Sequence, residues 1–394
     1  MTVGLTAAVG TLALATGVQP NLLTSSEPSG RLAASCQPLT VTDAATGVPL
    51  RGIEDLVALP DGSLLLSARD RWALESGEPE GIGAAGPSGL FHLRGDWAGE
   101  LGIGDQRSLQ AKNLTARILP VFRPHGIDAI AGNDGTIRIF AVNRAGGDEQ
   151  SSTGIDVFDF REERLQHVTR IDDPRLCRAN DVAAIDGRRA LVTLDTAACD
   201  RIGNWRELVF GPPEGSVVRL TLPDPKDSGS LGEAQLTPVA TGLRFANGIA
   251  IGDGSVWVAE TRGQRLLRLP LATALEDGTE PETSPASAFA RIPLPASPDN
   301  LTMTGAGDLL VTQHPSLLRL ALHRAAWLRR EGAGTRVDRL AIDESVEAEP
   351  RLEWLDPKGA MLSAGTVALE ASDGLVVGSV TAAGLAWCPE PGQT

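Results

Sequence analysis

The stretch Asn247-Gly-Ile-Ala-Ile-Gly-Asp-Gly-Ser-Val-Trp-Val-Ala-Glu260 contains the repeating unit of this chain. A polar residue opens a short alternating apolar run, Asp253-Gly254 supplies a turn, and a second apolar run returns to Glu260. Period-two alternation puts one face of each run into a core, and Asp-Gly is a favoured hairpin turn, so the stretch reads as a β-hairpin. Five more hairpins of this kind flank it. They begin at Glu54-Asp55, at His125 (returning as Thr136–Val142), at Asn180-Asp181 (returning as Ala190–Thr193), at Asp299-Asn300 (returning as Asp308–Thr312) and at Thr366. The openings fall 52 to 71 residues apart, which argues for one closed assembly. A radially repeated fold gathers such polar openings at one end of a central channel. The expectation is an all-β, six-bladed β-propeller spanning residues 36–394.

Residues 1–35 read as an apolar N-terminal targeting or anchoring segment and a linker. The run Val3–Val18 is small and apolar, carries no Lys or Arg, and is short for a spanning helix. It suits a trimmed signal or a helix lying on a membrane surface. The stretch Leu318–Glu331 is the main helical candidate, and residues 201–215 form either a lid over the channel or a blade insertion. Residues 72–89, 201–215 and 277–286 are the loops expected to line a pocket.

With 394 residues and 42% apolar content the chain can bury a large core. A net charge of −15 argues against nucleic acid as a partner. No G-x-S-x-G, H-E-x-x-H or C-x-x-C motif is present, and there is no tyrosine to act as acid or base. Four cysteines stand at 36, 177, 199 and 388. In a closed ring the chain ends meet, so Cys36 and Cys388 can fasten the closure, and an out-and-back hairpin brings Cys177 towards Cys199. The alternative is four free buried thiols. The bridged reading places the protein in an extracytoplasmic compartment, periplasmic or secreted.

Glu54, Asn180, Asn247, Asp299 and Asn300 are oxygen donors contributed by four separate hairpins, the donor chemistry that Ca²⁺ prefers. Asp55 and Asp181 follow Glu54 and Asn180 directly. Successive strand residues point to opposite sides, so this pair either holds a deeper ion or braces backbone amides. His125 opens the second hairpin and suits a general base on water. His314 ends the return strand of the fifth and is a pocket candidate.

Six pieces carry a resemblance: Gly52–Gly62, Arg123–Ile127, Asn180–Val182, Phe245–Ile249, Asp299-Asn300 and Gln313–Pro315. In this order they resemble the serum paraoxonase and arylesterase family of six-bladed calcium propellers. The resemblance implies two Ca²⁺ ions. A catalytic one is held by Glu54, Asn180, Asn247, Asp299 and Asn300, and a structural one by Asp55, Asp181 and the backbone carbonyl of Ile127. It also implies a Cys36–Cys388 bridge, with Cys177–Cys199 as an additional pair, and likens the apolar N-terminus to a retained anchoring helix. One departure stands out. Where the family places a second histidine to orient the channel histidine, this chain has Arg144. Either His125 then works alone, or Asp299 takes the base or nucleophile role, or the substrate differs.

The expected function is calcium-dependent hydrolysis of small-molecule lactones or aryl esters. The alternatives are a gluconolactonase-like or strictosidine-synthase-like propeller enzyme, or a non-catalytic calcium-stabilised binding propeller.

Overall fold

The computed structural model describes residues 31–32, 36–75, 87–95, 97, 108–119, 121–145, 153–224, 233–276, 289–328, 330–342, 349–371 and 374–389. The expected N-terminal segment, apart from Arg31–Leu32, and much of the loops at 72–89 and 277–286 lie outside the described residues. Among the described residues no helix is long and apolar enough to cross a membrane.

Six sheets of four or five strands are arranged as the blades of a propeller. The first strand of each blade lies innermost: β1 (Ile53–Ala58), β2 (Pro124–Ala131), β3 (Ala179–Ala184), β4 (Ala246–Gly252), β5 (Ser297–Met303) and β6 (Gly365–Ala371). Each pairs antiparallel with the strand after it, as the alternating hairpins predict. At the turn of the first hairpin Gly62 has φ +80°, a left-handed conformation that glycine adopts without steric cost.

Hydrophobic clusters fill the spaces between neighbouring blades. Phe140, Val142, Val182 and Val192 pack together between the second and third, and Trp257, Leu266, Leu301 and Val311 between the fourth and fifth. Full burial of one such aliphatic or aromatic side chain contributes about 1.5–3 kcal/mol. Because both faces of each sheet are covered, the polar strand openings are left as the lining of the channel end.

The ring closes through its N-terminal strand. Gln37–Leu39 forms the outermost strand of the sixth blade, antiparallel to Leu385–Pro389, and a Cys36–Cys388 disulfide (Cα–Cα 4.2 Å) fastens it. Arg31–Leu32 adds a parallel edge strand to the fifth blade. A second disulfide joins Cys177 to Cys199 (Cα–Cα 5.7 Å), so both expected bridges form.

Among the described residues three helices sit in connections between second and third strands, and so lie at the channel end that holds the openings: α1 (Arg71–Glu75), α2 (Arg201–Phe210) and α3 (Leu317–Arg324). In α2 the Asp200 side chain caps the N-terminus, and Ile202, Trp205 and Phe210 face solvent. The α3 helix is shorter than the sequence suggests. After Arg324 the chain folds back, with the amides of Trp327 and Leu328 both donating to Leu322 O, which ends the helical run.

Candidate active site at the channel mouth

Each of the six inner strands breaks its pairing at its polar opening. The register shifts between Ile53 and Asp55, Pro124 and Ile127, Ala179 and Val182, Ala246 and Ile249, Pro298 and Leu301, and Gly365 and Val367. A bulge bends a strand and re-aims its side chains. The same irregularity in all six blades therefore brings Glu54, His125, Asn180, Asn247 and Asp299-Asn300 to one end of the channel. The glycines after His125 and Asn247 serve close approach of adjacent inner strands. A Cβ on Gly126 would lie 2.5 Å from Asp181 Cα, and one on Gly248 2.6 Å from Asn300 Cα.

Glu54 is buried and held by a guanidinium that the sequence reading did not single out. Arg71 Nη2 donates to both carboxylate oxygens, at 2.5 and 2.6 Å, and its Nε lies 3.2 Å from Oε2. The same Nη2 is 3.2 Å from His125 Nε2, while His125 Nδ1 is 3.3 Å from Glu54 Oε1. A guanidinium only donates, so Nε2 accepts and the imidazole proton sits on Nδ1 beside Glu54. Burial, then the charges of Arg144, Arg71, Arg69 and Arg324, push His125 well below the ordinary histidine range, so it is neutral at pH 7. Burial acts to raise Glu54, but Arg71 and then Arg69 outweigh it and hold it ionised. Arg144 contributes charge without a hydrogen bond to His125. It donates instead to Ala179 O (2.6 and 3.0 Å) and to Asp195 Oδ2 (3.2 Å).

The three asparagines have their amide nitrogens committed. Asn180 Nδ2 faces Asp195 Oδ2 (3.4 Å), Asn247 Nδ2 donates to Thr261 Oγ1 (3.1 Å), and Asn300 Nδ2 donates to Glu54 O (3.1 Å). Each amide thus keeps its Oδ1 as the remaining polar atom. Asn180 Oδ1 is buried and has no hydrogen-bond partner, an arrangement that is costly in a folded protein. Asp299 Oδ2 lies 2.6 Å from Nε2 of the buried His314, which brings that pocket candidate into the group.

Below this ring lies a layer of aspartates, Asp55 and Asp181 buried and Asp128 half-buried, each tying its own strand to the next. Asp55 accepts from the amides of Leu56 (2.9 Å) and Ile127 (2.7 Å). Asp128 accepts from Ala129 (2.8 Å) and Ala184 (2.7 Å), and Asp181 from Val182 (2.8 Å) and Ile249 (2.9 Å). Burial, and then repulsion from Asp181, push Asp55 well above the carboxylate range. Burial raises Asp181 to about 8 and Asp128 to about 6.

These residues fit a hard cation in part. An orphaned Asn180 Oδ1, two further amides with tied nitrogens, and a buried pair of mutually repelling carboxylates form an oxygen set of the kind Ca²⁺ takes. Glu54 fits less well, because Arg71 engages both of its oxygens. Among the described residues no three His, Cys, Asp or Glu side chains cluster to hold a metal by themselves, so the amide oxygens are indispensable to such a site.

A family model described as Arylesterase matches residues 89–388, most of the chain. The chain belongs to the arylesterase family. Curated relatives of the chain include the serum paraoxonase/lactonase 3 of Rattus norvegicus, 24% identical over 263 residues that cover 65% of this chain and 66% of the relative. The serum paraoxonase/arylesterase 2 of Gallus gallus is 28% identical over 214 residues, covering 52% of each chain. The matches thus span between about half and about two thirds of the length of these relatives. Among solved structures, the α-L-arabinanase of Penicillium chrysogenum superposes with a TM-score of 0.47 at 11% identity, covering 90% of this chain and 97% of that one. The arylesterase model begins after the first hairpin. Glu54, Asp55, Arg69 and Arg71 all precede the matched region.

Proposed function

We propose that this arylesterase-family propeller is a calcium-dependent hydrolase of lactones or aryl esters. The observation that carries the reading is the ring of amide oxygens from three bulged strands, with Asn180 Oδ1 buried and unpartnered. Asn180, Asn247, Asn300 and Asp299 would hold a catalytic Ca²⁺, with Glu54 shared between the ion and Arg71. Asp55, Asp181 and the Ile127 carbonyl would hold a second, structural ion. When bound, the catalytic ion polarises the substrate carbonyl and stabilises the developing oxyanion.

The chain's own residues supply the proton chemistry. His314 Nδ1 is buried without a partner, so the imidazole carries its proton on Nε2 and donates it to Asp299 Oδ2. That bond orients Asp299, whose side chain remains 14% exposed and can meet water. Asp299 accepts a proton as the water oxygen adds to the acyl carbon, then returns it to the departing alkoxide or phenolate oxygen as the ester C–O bond breaks. The products are a carboxylic acid and an alcohol or phenol, or a single hydroxy acid from a lactone. His125, whose Nε2 lone pair faces Arg71, positions the Glu54–Arg71 pair. Two disulfides support an extracytoplasmic location, with the N-terminal segment as its targeting or membrane-surface element.

The test is acid release from γ- and δ-lactones and phenyl esters, with chelator and with calcium added back. Turnover that calcium restores, and that Asn247→Ala abolishes, is the expected result. Undiminished turnover in chelated, folded protein would overturn the calcium mechanism. Arg71, which caps both Glu54 and His125, favours one competing reading, a binding propeller. Calcium raising Tm with no turnover across the panel would establish that instead.

A further inference from the structure

Arg69 follows the second strand of the first blade. Its backbone is fixed by donation from its amide to Gly52 O (3.0 Å), and its side chain is only 9% exposed. Its Nε is buried with no hydrogen-bond partner, and among the described residues no carboxylate lies within ion-pair distance of it. Nearby anions are already engaged. Glu54 is taken by Arg71, Asp195 by both Arg144 and Arg178 (3.2 and 2.9 Å), and Asp299 by His314. Asp70, next in sequence, accepts from the amide of Ala73 (3.2 Å). Among the described residues Arg69 is therefore left as a buried guanidinium of the mouth with no carboxylate of its own.

The segment is tied to its neighbours. Trp72 of α1 donates from Nε1 to Arg324 O (3.0 Å), at the end of α3, and packs edge-on against His323 with centroids 5.0 Å apart. His323 is itself fixed by Thr381 Oγ1 (3.0 Å) and Ser363 Oγ (3.0 Å). Two blades thus clamp the segment that carries Arg69 and Arg71. A buried cation without a partner is costly to the fold, and a guanidinium presents a planar fork matched to a planar oxyanion.

We propose that Arg69 is a subsite for a carboxylate carried by the substrate, so that the ester or lactone admitted to this channel is an anionic one. This rests on the hydrolase reading above and names its substrate class. A monoanion matches the single uncompensated charge of Arg69. A dianion would bring a second charge into a desolvated site that has no group to meet it.

Binding and turnover test the proposal separately. Cyclopentanecarboxylate should bind the full chain by calorimetry and raise its Tm, while cyclopentanecarboxamide should do neither. In turnover, a γ-butyrolactone bearing a free carboxylate should exceed its carboxamide analogue in kcat/KM by about tenfold or more, the scale of one charge-assisted hydrogen-bonded pair. Arg69→Met should collapse that ratio towards one and abolish carboxylate binding, while Arg69→Lys should keep part of both. Arg69→Met should also melt higher than the parent, since it removes a buried unpartnered charge; a merely structural arginine would lower Tm when removed. Carboxylate binding through Arg69 with no turnover of any lactone keeps the subsite and sinks the hydrolase reading. Turnover of neutral lactones with no carboxylate binding, or an acid-to-amide ratio that Arg69→Met leaves in place, overturns the subsite and leaves the hydrolase standing.

Discussion

The two layers at the channel end are built from neighbouring residues of the same strands, yet they have opposite electrostatic characters. In the upper layer Arg71, Arg69 and Arg324 hold Glu54 ionised against its burial, and burial, then Arg144 and the same three arginines, keep His125 neutral. One residue further along the chain, Asp55 and Asp181 face each other among buried backbone, and their carboxyls are pushed up. A single-residue step across a bulge separates a carboxylate and an imidazole set among guanidinium groups from a pair of mutually repelling carboxyls. In the reading proposed above, the upper layer takes the catalytic Ca²⁺ on its amide and carboxylate oxygens and a substrate carboxylate on Arg69, and the lower one holds protons or a second cation.

The largest expected effect comes from breaking the upper layer. Glu54→Gln leaves Arg71 buried without its counter-charge, which should cost about 3–5 kcal/mol in chemical denaturation. Turnover should fall with it by roughly 10² or more. A loss below about 1 kcal/mol would show that the pair is solvated and the upper layer is not the closed cluster described.

Next is the packing that keeps the layers in register. Gly126→Ala places a methyl against Asp181 Cα and the Asn180 carbonyl, backbone that cannot yield locally. Overpacking of this kind costs about 1–3 kcal/mol, and Tm should drop accordingly.

A smaller change sharpens the contrast. Asp181→Asn removes one of the two repelling carboxyls and keeps an oxygen for an amide. In chelator its Tm at pH 8 should rise by a few degrees, and the Tm increase that calcium gives the parent should vanish. A variant that still responds fully to calcium would assign the ion elsewhere.

The last effect is a slope. Asp181 titrates near 8 in the fold and near the ordinary 3.8 when unfolded, so the native state binds the extra proton between these values. Stability must then decline as pH rises from about 4 towards 8. Chelated protein should show a falling Tm over this window, and calcium should flatten the decline by favouring the ionised form. A rising Tm over the same range would contradict the burial of this pair.

The hairpins were legible because a strand's period of two survives in Asn247–Glu260 and its counterparts, with Asp-Gly marking several turns. The channel-end donors were legible because Asn180, Asn247 and Asp299 interrupt otherwise apolar runs at equivalent points. Arg69 and Arg71 were not. They stand in a short charged stretch that resembles any surface connection, and only the docking of α1 against α3 turns them inward. Asp128 escaped for the opposite reason. It sits in ordinary alternation after His125, and its role appears only when β3 offers the Ala184 amide. Ring closure allowed a Cys36–Cys388 pairing beside the alternative of free thiols, and the family resemblance implied it.

That closure has a consequence in time. Gln37–Leu39 pairs with Leu385–Pro389, and the bridge beside it spans 352 residues. No local encounter can complete the sixth blade, because the waiting strand has no partner until the distant segment 385–389 has been synthesised. Closing the ring therefore joins an early segment to a much later one, and until then an unpaired edge stays open to other chains.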